Sequence, residues 1–275
     1  MITREQSRLR AGYDGEVVVF PGTCTPMSTA IARIYTPEGF VIATDGRATD
    51  PDDGTWFAVQ KLFPIEQPAR RLAYILADTV AITRKNSKEI VFDFAQGIVE
   101  AIKVTTGTQS RSLYEYAREL ATVLDVALKC ATKAAKIPPP DPDIEDWDST
   151  SVFIDGYCGK HPERAHIQFI HDGDDQTIPK ISAEDLKHKW WGSKEIASIL
   201  FDEVDPRLAA YKIAEYRVPA VQPTTLLEAI EMARRYVSAH CDPKALEIDR
   251  RACSKCGPPI RIATITFPEG FRWVE

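Results

Sequence analysis

Apolar residues come first in short runs and then in longer stripes. Residues 29–35 and 40–44 are two apolar runs joined by the turn Thr36-Pro37-Glu38-Gly39, and 57–65 and 72–77 follow as further strand signals. The run Leu72-Ala73-Tyr74-Ile75-Leu76-Ala77 has no polar break, as in a strand covered on both faces. From about Val80 to Lys103 the spacing of Ile90, Phe94, Ile98 and Ala101 predicts a helix. Ser112 and Glu115 form a capping-box signature ahead of a stripe running through Leu113, Tyr116, Leu120, Leu124 and Leu128. The Pro-rich acidic stretch 138–148 breaks this pattern and reads as an exposed loop. A strand pair is predicted at 151–154 and 165–170, a short helix after Gly192-Ser193, and a helix capped by Thr225 and Glu228. The chain closes on a period-two strand at 260–266 and a final apolar run at 271–274.

Helices grouped in pairs between blocks of strands do not match a doubly wound parallel sheet, in which helices and strands alternate singly. The expected fold class is α+β, a four-layer αββα sandwich with two antiparallel sheets face to face between helix pairs. Residues 1–27 form an N-terminal extension containing the apolar run Val17-Val18-Val19-Phe20, and 28–275 form one domain.

Composition narrows the function classes. The 275 residues are 44% hydrophobic and 27% charged, a globular balance, and the net charge of −6 with no basic stripe argues against a nucleic-acid partner. The first ten residues are charged where a signal peptide is apolar, and no window reaches the length of a membrane span. Six scattered cysteines fit a reduced, cytoplasmic protein.

The chemistry concentrates between residues 28 and 65. Hydroxyls at Ser28 and Thr29 open the first strand, Asp45 ends the second, and Lys61 follows sixteen residues later, ahead of Leu62-Phe63-Pro64-Ile65. That order supplies a hydroxyl nucleophile and a buried ion pair to activate it. Taken singly, Lys61 reads as a solvated strand lysine and Asp45 as a turn aspartate before Gly46.

The segments Gly39-Phe40-Val41-Ile42-Ala43-Thr44-Asp45-Gly46-Arg47-Ala48-Thr49 and Lys61-Leu62-Phe63-Pro64-Ile65, with their interval, resemble the proteasome family of N-terminal nucleophile hydrolases, in particular its beta-type subunits. Ser28-Thr29-Ala30-Ile31 resembles the opening of that family's first strand, and Trp191-Gly192-Ser193 its Gly-Ser turn before the third helix. The resemblance implies the αββα fold. It also implies autoproteolytic removal of the extension, an N-terminal nucleophile whose own amine is the general base, and cleavage of peptide or amide bonds without a cofactor.

Carried over residue by residue, the nucleophile is Thr29 by the interval to Asp45, or Ser28 by alignment of the strand text. Lys61 stabilises its deprotonated form and Asp45 orients Lys61. Ala77, in Leu76-Ala77-Asp78-Thr79, stands where the family has a glycine-rich turn supplying an oxyanion donor, and narrows the pocket toward small amides. Ser193 is a hydroxyl near the nucleophile or simply a helix N-cap. Asp242 is taken as the acid near the C-terminal helix, with Asp249 in view beside it. The family further implies a ring of like or related subunits acting on a peptide or amide, and no membrane or nucleic acid. Its non-catalytic alpha-type subunits open on a string like Ser28-Thr29-Ala30-Ile31, which leaves an inactive structural or assembly subunit as the alternative function.

One further group carries metal chemistry. His240, Cys241, Cys253 and Cys256 are weak zinc candidates, a single CxxC beside a His-Cys pair. The Trp190-Trp191 pair is either a satellite core or a partner surface.

Overall fold

The computed structural model describes residues 29–49, 56–67, 70–78, 80–83, 90–105, 112–136, 149–171 and 177–274. The extension 1–27 with its Val17–Phe20 run, Ser28 and the loop 138–148 lie outside the described residues.

Strands β1 (Ile31–Thr36) and β2 (Gly39–Thr44) form the predicted hairpin, with Thr36 opposite Gly39. They are followed by β3 (Arg47–Thr49), β4 (Trp56–Ala58), β5 (Leu62–Gln67) and β6 (Arg70–Asp78). The predicted strand 57–65 is thus two strands. The chain breaks at 59–61, where the Val59 N–H turns to the Gly46 carbonyl at 2.8 Å.

The helix expected over 80–103 occupies only its second half. Residues 81–83 and 90–93 are paired strands, β7 (Ala81–Thr83) and β8 (Ile90–Asp93), and α1 (Phe94–Val104) begins after them. Ile82, Thr83, Ile90 and Val91 are β-branched and favour extended backbone. Asp93 then starts the helix by accepting the Gln96 N–H at 3.0 Å. Helix α2 (Leu113–Ala135) carries the full Ser112/Glu115 capping box and ends on Lys136 in a left-handed conformation.

The second half contains β9 (Ser149–Cys158), β10 (His161–His171), β11 (Thr177–Glu184) and β12 (Lys189–Trp191). Helices α3 (Lys194–Phe201), α4 (Arg207–Ala210), α5 (Leu226–Cys241), α6 (Ala245–Ile248) and α7 (Arg250–Cys253) follow. Strands β13 (Arg261–Thr266) and β14 (Gly270–Trp273) close the chain. Both β11 and β12 escaped the sequence pattern because they are edge strands with weak apolar alternation.

Two five-stranded antiparallel sheets result, ordered β12-β1-β2-β13-β14 and β11-β10-β9-β6-β5. The period-two alternation of each strand divides its residues between two cores. Ile31, Phe40, Ile42, Ala73, Ile75, Ala263 and Ile265 interlock between the sheets. Their neighbours point outward. Ala32, Ile34, Val41 and Ala43 meet α3 and α5, whereas Leu72, Tyr74 and Leu76 meet α1 and α2. This is the four-layer αββα sandwich. Burying a side chain such as Ile34 or Leu76 on such a face contributes about 1.5–3 kcal/mol, so burial on both faces explains the unbroken apolar runs. No helix among the described residues is long and apolar enough to cross a membrane.

A charged cluster lies inside the sandwich. Asp155 of β9 pairs with Arg33 of β1, bridging the two sheets, and Arg164 of β10 stands 3.4 Å from the same carboxylate. Arg33 also meets Glu184 at 2.7 Å. The guanidinium planes lie over Phe153 and Phe40.

Candidate active site

The first strand enters the sandwich beside the end of the second, so Thr29 and Asp45 are neighbours through backbone pairing. The Asp45 N–H donates to the Ala30 carbonyl at 3.1 Å, and the Ala30 N–H returns to Asp45 Oδ1 at 3.0 Å. Lys61 arrives from the other sheet, just ahead of β5, where its carbonyl accepts the Leu76 N–H at 2.9 Å. Its Nζ donates to Asp45 Oδ1 at 2.9 Å and to Thr29 Oγ1 at 3.3 Å. Thr29, Asp45 and Lys61 are all buried, with exposures of 1%, 0% and 0%, so the ion pair is shielded from solvent screening.

The second Asp45 oxygen is held too. Oδ2 accepts the N–H of Arg47 at 3.2 Å and of Gly257 at 3.3 Å. With four donors around it, this carboxylate has its lone-pair sites filled and a fixed orientation. Residue 257 is a glycine for a spatial reason: a Cβ there would sit 2.3 Å from Arg47 Nε. The backbone of Arg47, and not its side chain, serves Asp45; the guanidinium lies 4.7 Å over the Trp56 ring.

Ser193 is a helix N-cap, and its hydroxyl also bonds an acid. Its Oγ accepts the Ile196 N–H at 3.2 Å as the N-cap of α3, and donates to Asp249 Oδ2 at 2.6 Å. Asp242 is not the acid bonded to Ser193. It closes α5, accepting the Tyr216 hydroxyl at 2.9 Å and the Lys244 N–H at 2.9 Å. Asp249 makes that bond and accepts a second from the Ala252 N–H at 3.0 Å. Burial alone would raise the Asp249 carboxyl, but the bonds from Ser193 and Ala252 outweigh it and hold the group below the usual carboxylate range.

His240 packs beneath this turn, within electrostatic reach of both Asp45 and Asp249. Gly192 has φ +144, and a Cβ there would meet His240 Nε2 at 2.7 Å. Burial lowers the His240 pKa, and its Nδ1 lies 2.9 Å from the Tyr236 carbonyl, which makes Nδ1 the protonated nitrogen of the neutral ring.

The zinc candidates are not assembled into a site. Among the described residues no group of three or more His, Cys, Asp or Glu is placed to hold a metal ion. Burial pushes the Cys253 thiol up to about 12 and raises Cys241 and Cys256 as well, which leaves all three protonated and poorly nucleophilic.

Ala77 lies at the end of β6 opposite Ser151, its methyl buried between the sheets. The next residue was not picked out from the sequence. Asp78 has φ +64, a left-handed backbone conformation normally left to glycine and tolerated by aspartate. The turn therefore keeps a glycine-like conformation with an acid in place of glycine. Trp191 sits in β12 opposite Ile31, where Trp190 and Trp191 extend the aromatic packing of Tyr236 and Phe153.

The fold is that of the proteasome-like N-terminal nucleophile hydrolases. No protein-family model matches the sequence, and no curated protein matches it. The structure is similar to a Gly-1 mutant of Anbu from Hyphomicrobium sp. strain MC1, at 16% identity and TM-score 0.50 over 90% of this chain and 87% of that one. It also matches Anbu, an ancestral beta-subunit, from Yersinia bercovieri, at 14% identity and TM-score 0.46 over 89% of this chain and 86% of that one. Another Anbu structure from Hyphomicrobium sp. strain MC1 matches at 18% identity and TM-score 0.47 over 90% and 85%.

Proposed function

We propose that the chain is a proteasome-beta-like N-terminal nucleophile hydrolase that cleaves peptide or amide bonds. One observation carries the reading: Lys61 Nζ lies between Asp45 Oδ1 at 2.9 Å and Thr29 Oγ1 at 3.3 Å in a site closed to solvent. A lysine donating to a hydroxyl oxygen favours the alkoxide that attack requires. The same contact favours Thr29 over Ser28 as nucleophile, and so a mature domain beginning at Thr29 after loss of the extension.

Cleavage before Thr29 would free its α-amine, whose ordinary pKa of about 8 suits a general base near neutral pH. The amine would take the Oγ1 proton as oxygen attacks the carbonyl carbon. Lys61 would counter the developing charge, and backbone N–H groups at the Ala77–Asp78 turn would serve as the oxyanion donor. Returning the proton to the leaving amine gives an ester on Thr29, which water then hydrolyses. Ser193 and Asp249 would orient the new N-terminus. The fold also supports assembly with further copies or related subunits.

The N-terminal mass of the purified, assembled protein tests this reading. It should begin at Thr29, and a threonine-directed electrophile should add to it but not to a Thr29→Ala variant. An intact Met1 in unlabelled material would sink the hydrolase reading. A second reading, an inactive structural subunit, is favoured by the replacement of the turn glycine with Asp78; it expects rings by light scattering and no labelling.

A further inference from the structure

The two sheets meet at one end of the sandwich, where β1 and β12 from one sheet face the end of β6 and the start of β9 from the other. Asp78 stands at that junction. It pairs in register with Thr150, lies among the side chains of Ser149, Ser151 and Trp191, and is within electrostatic reach of Lys61. Trp191 is cross-strand to Ile31, two residues from Thr29.

Three features set this acid apart from the others near the site. Thr29, Asp45, Lys61 and Ala77 are buried, whereas Asp78 is partly exposed. Asp45 is already neutralised by Lys61, and Asp249 is bound by Ser193 and Ala252. The side chains of Ser151, Trp191 and Ser149 and the charge of Lys61 favour the ionised form of Asp78, and Lys61 is the cation that acts on it, from a distance. Its backbone is also held in a left-handed conformation, a local cost that persists in folded proteins mostly at sites of function.

We propose that Asp78 is a substrate-binding carboxylate that receives a cationic group beside the bond to be cleaved, so that the preferred amide carries a lysine- or arginine-like side chain next to the scissile carbonyl. This rests on the hydrolase reading for the meaning of "scissile", but the binding it asserts does not require turnover. With the Asp45–Lys61 pair cancelling itself, Asp78 leaves the mouth of the site negative, in keeping with the chain's net charge of −6. The half-buried Trp191 indole beside it offers an aromatic surface that a guanidinium or ammonium group favours.

Titration calorimetry at pH 7.5 tests this with two tetrapeptide amides that differ only in lysine or norleucine at the last residue. The lysine peptide should bind about tenfold more tightly, a size typical of one partly shielded charge pair. The preference should vanish in Asp78→Asn, which tolerates the same left-handed backbone and so keeps the fold. Equal binding of the two peptides, no binding of either, or a lysine preference that survives Asp78→Asn would overturn the proposal. Hydrolysis is read separately on fluorogenic versions of the pair. Selective binding without cleavage leaves the role of Asp78 standing and sinks the hydrolase reading. Equal cleavage of both with Asp78 present does the reverse.

Discussion

Lys61 Nζ and Asp45 Oδ1 are 2.9 Å apart with neither side chain exposed, and the two halves of this pair are not equally supported. Asp45 has three backbone N–H donors besides the lysine, whereas among the described residues Lys61 Nζ has Asp45 and Thr29. Removing the acid strands a buried ammonium; removing the lysine leaves a carboxylate that still accepts three bonds. Asp45→Ala should therefore cost about 3–5 kcal/mol. Lys61→Met, which keeps the aliphatic stem, should cost about 1–2 kcal/mol. Chemical denaturation of the two variants checks the order, and a larger loss in Lys61→Met would contradict it.

Asp155 poses the same problem on a larger scale. It is the shared counter-ion of Arg33 and Arg164, both buried, and its pair with Arg33 ties one sheet to the other. Burial pulls the Arg164 guanidinium below its ordinary value while Asp155 pulls it back. Asp155→Ala should lower stability by at least about 3–5 kcal/mol, more than any single truncation on an outer helix face. A midpoint of urea unfolding within error of the parent would show that Glu184 alone can hold both arginines.

These two clusters mark what the sequence made legible and what it hid. The order Thr29, Asp45, Lys61 was readable because its members border β1, β2 and β5 within one short stretch of chain, and both capping boxes, Ser112/Glu115 and Thr225/Glu228, were readable because they are local. The four-layer architecture followed from apolar runs long enough to need cover on both faces. Asp155 and Arg33 are 122 positions apart, and nothing local marks either as a partner. Asp249 was hidden differently. Asp242 and Asp249 both follow the last long helix, and only the return of the chain through α6 and α7 brings one of them to Ser193, 56 positions earlier. Asp78 was invisible because conformation, not residue type, carries the glycine-like turn.

The choice between those two acids yields a prediction. Asp249→Asn and Ser193→Ala each remove the 2.6 Å bond and should impair N-terminal processing alike, with the double variant no worse than either single one. Asp242→Asn should leave processing unchanged, since among the described residues that carboxyl is bonded by Tyr216 and Lys244. Mass spectrometry after a fixed maturation time reads all four variants. Additive losses in the double variant would mean that Ser193 and Asp249 act separately.

Asp78 and His240 shift stability with pH in opposite senses. Burial raises the Asp78 carboxyl to about 6, with Ser151, Trp191, Ser149 and Lys61 pulling it partly back. The folded chain therefore holds this proton after the unfolded chain, with its ordinary carboxyl near 4, has lost it. Stability falls as pH rises from about 4 to about 6, by about 1–2 kcal/mol for a partly exposed group, and stays lower above that window. For His240 burial lowers the pKa, so the unfolded chain takes up a proton first, and stability falls as pH drops below the ordinary imidazole value of about 6.5. Asp78→Asn should remove the first slope and stabilise the protein at pH 7, while leaving the loss on acidification through pH 6 to His240. Thermal midpoints of parent and Asp78→Asn at half-unit steps from pH 4 to pH 8 check both; parallel curves would mean that the Asp78 carboxyl titrates at its ordinary value.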